Sequence, residues 1–277
     1  MRAGPESLRV AAIQLCCGQN REENLDRACV LMEQAVGQGA QLLALPENLS
    51  FLGRDADKLQ VAEDLDDGPT VAFLRAFAAK YRVPIVGGTV PLKTGDPGKV
   101  TNSCLVFDGT GALVARYDKI HLFDVAVDAA NTYRESDHVR AGNNVVTIGL
   151  LNHVMALSVC YDLRFPELYR TLALRGAQVL FVPSAFTRVT GEAHWEILLR
   201  ARAIENLAYV VAPAQWGMHG HGRESYGHTS VVGPWGDVLG LRPTGEGVVL
   251  ADLDFAVVAA ARHRLPSLAH IRLPIGE

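Results

Sequence analysis

Short apolar runs along the chain alternate with stretches in which apolar residues recur at helical spacing. Residues 8–15 are apolar and predict a buried strand. From Leu25 to Val36 the apolar positions recur every three or four residues, as on one face of a helix, and Gly39 follows the predicted helix end. Residues 41–45 predict the next strand, so the chain begins as strand, helix, strand.

The same patterns predict the elements of the remaining chain. In the first half these are a helix over 70–81, a strand over 83–90, and a hairpin of 102–107 with 112–116. The second half repeats this plan with a strand over 154–159, a helix over 166–174, a strand over 179–182, a helix over 194–208, a strand over 209–213 and a hairpin at 233–236.

Two segments of the chain are similar to one another. Residues 39–46 read Gly-Ala-Gln-Leu-Leu-Ala-Leu-Pro and residues 176–183 read Gly-Ala-Gln-Val-Leu-Phe-Val-Pro, each closing a helix and opening a strand. This likeness indicates an internal duplication. Two βαβαββ-like halves whose sheets stack face to face predict an α/β fold, a four-layer αββα sandwich. No linker separates the halves, so we predict one domain over 8–265 and a C-terminal tail over 266–277.

Composition and charge narrow the possible partners. The chain is 49% hydrophobic and 20% charged, with a formal net charge of −4 and a pI near 6.1. Nothing in this balance attracts nucleic acid or anionic lipid. The amino terminus lacks an apolar signal core, and no apolar run approaches the roughly 20 residues that span a bilayer. We therefore expect a cytoplasmic protein that binds neither membranes nor nucleic acids.

Cysteine and histidine spacing gives no sign of a metal or a disulfide framework. The five cysteines are an odd number without a Cys-x-x-Cys pair, so we expect free thiols. His219 and His221 lie in a glycine-rich stretch without a carboxylate or thiolate at ligand spacing, which favours solvated loop residues. We expect no metal site and no cofactor.

Three short segments each carry one chemically potent side chain next to a predicted strand end. Glu47 follows the strand over 41–45, Lys119 follows the first hairpin, and Cys160 stands where a strand turns into a helix. A base, a cation that holds a developing oxyanion and a nucleophilic thiol are the parts needed to hydrolyse an amide through a thioester. The helix start beside Cys160 predicts a lowered thiol pKa.

Simpler interpretations of these residues remain open at this point. Glu47 and Lys119 taken singly could be surface charges, and Cys160 could be one more buried cysteine. The chain contains no Gly-Lys-Ser/Thr phosphate loop and no Gly-x-Ser-x-Gly elbow, which excludes the common nucleotide hydrolase and serine hydrolase readings. A binding scaffold without catalysis is the alternative outside the enzyme class.

From Val10 to about Leu265 the chain resembles the nitrilase superfamily of carbon–nitrogen hydrolases, and the three segments carry the resemblance. The resemblance implies that Glu47 is the general base, Lys119 the oxyanion partner and Cys160 the nucleophile. It also implies that Glu135 positions the lysine and the substrate amide, although the loop over 125–132 departs from the family pattern. At least a homodimer is implied.

Finer details of the sequence suggest a substrate. Tyr161, through its N–H, and Phe186 are expected to contact it, and the loop Gly217 to Gly222 is expected to shape a pocket for its tail. The segments that point to the substrate are most similar to the deaminated glutathione amidases, and they are residues 193–196, 200–206, 212–215 and 225–228. We therefore expect an amidase that cleaves a small carboxylate-bearing amide to acid and ammonia. An ω-amidase acting on α-ketoglutaramate, or another amidase of the nitrilase superfamily, is the alternative.

Overall fold

The computed structural model describes residues 7–126 and 132–273, so residues 127–131 of the loop over 125–132 and the last four residues of the tail lie outside the description. The helices are α1 (Arg21–Gly37), α2 (Lys58–Val61), α3 (Pro69–Tyr81), α4 (Pro166–Leu174), α5 (Arg188–Asn206) and α6 (Phe255–Arg264). The strands are β1 (Ser7–Gln14), β2 (Leu42–Ala44), β3 (Ile85–Lys93), β4 (Val100–Phe107), β5 (Leu113–Asp118), β6 (Asp124–Ala126), β7 (Thr132–Arg134), β8 (Thr147–Leu150), β9 (His153–Leu157), β10 (Val179–Phe181), β11 (Tyr209–Ala212), β12 (Trp216–Met218), β13 (Glu224–Tyr226), β14 (Thr229–Val232), β15 (Val238–Arg242) and β16 (Gly247–Asp254).

Two six-stranded sheets have the same internal plan. The first has the order β16-β1-β2-β3-β4-β5 and the second the order β8-β9-β10-β11-β14-β15. In each sheet three central strands run parallel, two antiparallel strands follow on one side, and one antiparallel strand lies on the other. This equivalence agrees with the duplication predicted from the sequence.

Apolar side chains form separate layers on the two sides of the first sheet. On its outer face Ile13 and Leu43 pack with Met32 of α1 and Leu74 of α3. On its inner face Val10, Leu42 and Val106 belong to a cluster that continues through the second sheet to helices α4 and α5. Helix, sheet, sheet and helix are therefore stacked in that order, and the predicted αββα fold class is confirmed.

The repeated segments of the sequence have the same local structure in both halves. Gly39 and Gly176 have φ values of 84° and 91°, and each stands three residues before the strand that it precedes, β2 or β10. A left-handed residue just past a helix end suits glycine because it lacks a Cβ. The prolines 46 and 183 then end equivalent strands, so Glu47 and Ser184 occupy equivalent places in the two sheets.

Element boundaries differ from the prediction mainly around α5. The helix begins at Arg188 instead of 194, because Thr187 caps it by accepting a hydrogen bond from the N–H of Thr190. Gly191 lies inside this first part of the helix, where an added Cβ would come within 2.3 Å of Tyr226. Glycine is normally unfavourable inside a helix, but Gly191 permits α5 to pack closely against β13.

Several elements of the second half were not predicted, among them the short pair β12 and β13. The strands β8 and β16 complete the two sheets, and α6 follows β16. In β16 the buried residues Val249, Ala251 and Leu253 alternate with residues that are partly or fully exposed, a strand signal that the sequence contains. Within the described ranges, no helix is long and apolar enough to cross a membrane.

Candidate active site

Glu47 is held just beyond the end of β2 by backbone contacts. An irregularity in β3 brings Gly88, at φ 63°, so close to this segment that an added Cβ would lie 2.0 Å from the carbonyl oxygen of Pro46. From the other half of the chain, Nε2 of Gln215 donates a 2.9 Å hydrogen bond to the carbonyl oxygen of Glu47. The position of the Glu47 carboxylate therefore depends on both halves.

Lys119 lies between two carboxylates that come from different segments. Its Nζ is 3.0 Å from Oε1 of Glu47 and 2.9 Å from Oε2 of Glu135. The three residues are at most 4% exposed. The structure thus brings together Glu47, Lys119 and Glu135, as the sequence predicted.

Burial and charge act against one another in this group. Burial opposes the charge on Lys119, but the carboxylates of Glu135 and Glu47 outweigh it and raise the pKa of the ammonium well above its usual value. For Glu135, burial acts to raise the pKa, whereas the charges of Lys119 and Lys58 lower it below its usual value. Lys119 is therefore a permanent cation.

The carboxylates of Glu47 and Glu135 also share the side-chain amide of Asn102 as a donor. One oxygen of Glu47 has no hydrogen-bond partner in the described part of the chain. Nδ2 of Asn102 donates to Oε1 of Glu47 at 2.9 Å and to Oε1 of Glu135 at 3.2 Å. The N–H of Phe123 donates to Oε2 of Glu135 at 2.8 Å. Oε2 of Glu47 is buried, and no hydrogen-bond donor among the described residues reaches it. That oxygen therefore keeps an unused acceptor position.

Cys160 occupies a strained turn at the start of a short 3₁₀ helix over Cys160–Arg164. Its φ is 49°, a left-handed conformation that is uncommon for residues other than glycine, and its N–H donates to the carbonyl oxygen of Pro183 at 2.9 Å. These constraints present the sulfur at the point where β9 ends, beside the Glu47 carboxylate.

The predicted low thiol pKa is wrong for the resting site. Burial and the charge of Glu47 raise the pKa of Cys160, and together they outweigh the lowering effects of Lys119 and the backbone N–H of Ala185. A helix of five residues adds too little dipole to reverse this. The thiol is therefore protonated at neutral pH.

Asp162 connects the lysine segment to the cysteine turn. Its Oδ2 accepts hydrogen bonds from the hydroxyl of Tyr117 at 2.6 Å and from the N–H of Val159 at 2.8 Å. Its Oδ1 accepts the N–H of His121 at 3.0 Å and lies 2.7 Å from Nδ1 of the same residue. Asp162 is fully buried and thereby fixes the residues on both sides of Lys119 against the turn that carries Cys160.

Glu47, Lys119, Glu135 and Cys160 line one cleft. Tyr161 and Phe186, which the sequence predicts to contact substrate, are part of its wall. Four charged residues of the wall were not predicted, and they are Asp55, Lys58, Arg164 and Arg223. Of these, Arg164 stands in the Cys160 segment itself, whereas the others carry no sequence motif that could have found them.

Comparison with known proteins yields one matching family, described as carbon–nitrogen hydrolase, over residues 9–263. The chain belongs to the carbon–nitrogen hydrolase family. Among similar proteins, the deaminated glutathione amidase of Synechocystis sp. is 43% identical over 263 residues, which cover 94% of this chain and 96% of that protein. The omega-amidase NIT2 of Homo sapiens is 36% identical over 260 residues, covering 94% of this chain and 93% of that protein.

Among solved structures, Nit3 of Saccharomyces cerevisiae is similar with a TM-score of 0.86 and 30% identity, covering 95% of this chain and 96% of that chain. That protein is described as a member of branch 10 of the nitrilase superfamily. The resemblance to this superfamily is thus confirmed. Family and relatives agree on a hydrolase that acts on carbon–nitrogen bonds other than peptide bonds.

The glycine-rich loop of this carbon–nitrogen hydrolase differs from the prediction in two ways. Residues 217–220 and 222 do not belong to the cleft wall, which instead includes Arg223. His219 is buried, with Nδ1 2.7 Å from the carbonyl oxygen of Cys17, and burial lowers its pKa to about 4. Within residues 7–126 and 132–273, no group of three or more histidine, cysteine or acidic residues is placed to hold a metal ion.

A first prediction concerns Asp162. In Tyr117→Phe this buried carboxylate loses one of its donors, so we expect the free energy of unfolding to fall by about 1–2 kcal/mol and kcat to fall with it. Chemical denaturation and steady-state kinetics measure the two quantities. Tyr81→Phe is the matched control, because its hydroxyl donates to Glu33 on the exposed surface. Equal effects of the two substitutions would contradict the role given to Asp162.

Proposed function

We propose that this protein is an amidase that hydrolyses deaminated glutathione through a thioester on Cys160. The observation that carries the proposal is the buried group of Glu47, Lys119 and Glu135, which shares one cleft with a protonated thiol. The substrate is suggested by the Synechocystis relative, whose name states it and whose length this chain matches almost completely.

In the first half of the proposed reaction, Oε2 of Glu47 takes the proton from Cys160 and the sulfur attacks the amide carbonyl carbon. Lys119 stabilises the negative charge that develops on the carbonyl oxygen. The N–H of Tyr161 would be the second donor, since it lies in the first turn of the short helix, where backbone N–H groups have no intrahelical partner. Glu47 then returns the proton to the departing amine, and a thioester remains.

In the second half, Glu47 removes a proton from water, and the resulting hydroxide attacks the thioester carbonyl. The carbon–sulfur bond breaks, the acid leaves, and Cys160 regains its proton from Glu47. Glu135 would act without proton transfer, because its contacts with Lys119 and the N–H of Phe123 hold the ammonium in place.

The leaving amine depends on the substrate, and this corrects the expectation of ammonia. Cleavage at the α-keto acid end of deaminated glutathione releases α-ketoglutarate and the dipeptide cysteinylglycine. Ammonia is released only from a primary amide such as α-ketoglutaramate, the substrate of the alternative ω-amidase function that the human relative suggests. Both reactions yield α-ketoglutarate, so this product allows a direct comparison.

The alternative of a silent binding scaffold is disfavoured by the energetics of the site. A buried lysine with two buried carboxylates is costly to desolvate, and replacing such a group by packed apolar residues is often neutral or stabilising. Oε2 of Glu47 adds a buried acceptor that receives no hydrogen bond from the described residues. A fold kept only for binding gains nothing from this arrangement, whereas proton transfer from Cys160 requires it.

A second prediction tests the catalytic assignments. Cys160→Ala should leave less than about 1% of wild-type turnover, since loss of a nucleophile costs several orders of magnitude. Glu47→Gln and Lys119→Ala should each lower kcat at least about a hundredfold. Glu135→Gln should lower kcat as well, and steady-state release of α-ketoglutarate measures all four.

The controls for these variants are Cys16→Ala, Cys17→Ala and Lys93→Ala, of which the last removes an exposed lysine bound to Asp64. All three should retain activity, and circular dichroism should show a native fold for every variant. Residual turnover of Cys160→Ala above the stated level would refute the nucleophile. Wild-type kinetics for Glu135→Gln would mean that this residue has no part in the reaction.

A third prediction concerns substrate choice. Deaminated glutathione should exceed α-ketoglutaramate in kcat/KM by at least about tenfold, because contacts with the remote tail stabilise the transition state. N-carbamoyl amino acids and aliphatic nitriles should be poor substrates. If α-ketoglutaramate gives the higher kcat/KM, the ω-amidase function replaces the one proposed here.

The proposal includes the predicted single domain over 8–265, a cytoplasmic location and a homo-oligomer. The domain is supported by β16, which comes from the end of the chain and pairs along all of β1. The oligomer is supported by apolar side chains exposed on α5 and on the turn before β15, namely Ile197, Ile204 and Trp235. Such a patch suits contact with a second copy of the chain.

A fourth prediction follows for the oligomer. Light scattering on the purified protein should give a mass of at least twice the 29.9 kDa of the chain. Ile197→Glu places a charge on the exposed face of α5 and should lower the mass. Val30→Glu, on the exposed face of α1, is the control and should leave it unchanged. A monomeric wild-type protein at micromolar concentration would contradict the oligomer.

A further inference from the structure

Two of the four cations in the cleft wall have no carboxylate partner. Lys119 is paired with Glu47 and Glu135, and Lys58 lies 2.8 Å from Oδ1 of Asp55. In contrast, Arg164 and Arg223 form no salt bridge with an acidic residue of the described chain. Unpaired guanidinium groups in a cleft that holds the catalytic group are suited to bind anionic parts of a substrate.

The two arginines lie against different rings of an aromatic group in the cleft wall. The rings of Tyr133 and Phe123 are 5.1 Å apart, and those of Phe123 and Tyr161 are also 5.1 Å apart. The guanidinium carbon of Arg223 lies 5.8 Å from the Tyr133 ring centre, and that of Arg164 lies 5.8 Å from the Tyr161 ring centre. Arg164 also lies 5.2 Å from the Phe186 ring centre. The two guanidinium groups therefore contact different aromatic rings of one cleft.

Arg223 has donor capacity that the protein does not use. Its Nη2 donates a long hydrogen bond of 3.3 Å to the carbonyl oxygen of Ala185. Its Nε is buried and has no acceptor among residues 7–126 and 132–273. The charge of Arg223 contributes to the lowered pKa of Asp55. The two side chains are nevertheless too far apart to form a salt bridge. A buried N–H without an acceptor is costly unless a ligand provides one.

The backbone around Arg223 is held firmly. The N–H of His219 donates to the carbonyl oxygen of Arg223 at 2.7 Å, and the N–H of Tyr226 donates to that of Phe186 at 2.9 Å. The β12–β13 pair that flanks the residue thus fixes the backbone from which the Arg223 side chain reaches the cleft wall. A preorganised cation loses less entropy on binding.

We propose, on the basis of the proposed function, that Arg223 binds the carboxylate at the glycine end of deaminated glutathione and determines the preference for this substrate. Deaminated glutathione carries two carboxylates, one on the keto acid and one on the glycine, whereas α-ketoglutaramate carries only the first. Two arginines of the cleft wall without a carboxylate partner in the described chain match this number.

The assignment of the ends follows from the covalent intermediate. The keto acid part stays bonded to Cys160, and Arg164 lies on the same short helix, four residues further on. The glycine part departs with the amine, so its partner should lie on an element separate from the nucleophile. Arg223 is on the connection between β12 and β13 and meets that condition.

The experiment compares three substrates in wild type and Arg223→Gln, with α-ketoglutarate release as the readout. The substrates are deaminated glutathione, its analogue with glycinamide in place of glycine, and α-ketoglutaramate. Arg223→Gln should lower kcat/KM for deaminated glutathione about tenfold to a hundredfold, the range for a charge-assisted pair, and leave α-ketoglutaramate within about twofold. In the variant, deaminated glutathione and its glycinamide analogue should react equally.

Two further variants separate recognition from damage to the fold. Arg188→Gln removes a neighbouring arginine that is exposed and bound to Glu224 at 2.9 Å, and it should change none of the three values. Arg223→Lys keeps the charge without the planar fork and should recover part of the lost kcat/KM for deaminated glutathione. Turnover of α-ketoglutaramate by each variant verifies that the catalytic group is intact.

Each outcome decides one point. Equal losses for deaminated glutathione and α-ketoglutaramate in Arg223→Gln, or no loss for either, would overturn the proposal. So would a variant that still distinguishes glycine from glycinamide as the wild type does. A wild type that prefers α-ketoglutaramate would overturn the proposed function alone, because the change in the substrate ratio would still report on Arg223. No turnover of deaminated glutathione by the wild type would overturn both.

Discussion

The contact between Lys119 and its two carboxylates is the constraint on which the site depends. Three segments that are distant in the chain bring one ammonium and two carboxylates together in a buried space. There each charge is compensated by the opposite charge beside it. Removing one member would leave an uncompensated buried charge, which is strongly destabilising. Neighbouring donors hold the carboxylates in place. Asn102 donates to both of them, and the N–H of Phe123 donates to Glu135.

The site also requires that the Cys160 thiol keeps its position relative to Glu47, Lys119 and Glu135. Hydrogen bonds of Asp162 hold it there. Tyr117, Lys119 and His121 are spaced two residues apart at the end of β5. The outer two bind Asp162, two residues after Cys160, while the middle one reaches the carboxylates. One buried carboxylate thereby connects the first sheet to the turn of the second sheet. The duplicated halves meet at the site because the carboxyl ends of their strands lie close together.

Much of the fold could be predicted because hydrophobic periodicity reports which face of an element is buried. The halves, the parallel strands and the strand-end positions of Glu47, Lys119 and Cys160 follow from that signal and from the repeated glycine-to-proline segments. The start of α5 could not be predicted, because Gly191 argues against a helix until its packing against Tyr226 is known. The charged wall residues also escaped prediction, since pairing of Lys58 with Asp55 and the unused donor of Arg223 are properties of tertiary structure.

The error about the Cys160 pKa has the same origin and leads to a view of how the site works. Sequence shows the helix start but not the burial or the neighbouring carboxylate, and these two raise the thiol pKa. In the proposed mechanism the contribution of the carboxylate to this raised pKa disappears once Glu47 accepts the proton, because Glu47 is then neutral. The new thiolate is left facing the cation of Lys119. In this proposed mechanism the transfer moves a proton between buried neighbours without changing the net charge of the cleft. The carboxylate that raises the pKa of the resting thiol is then also the base that activates it.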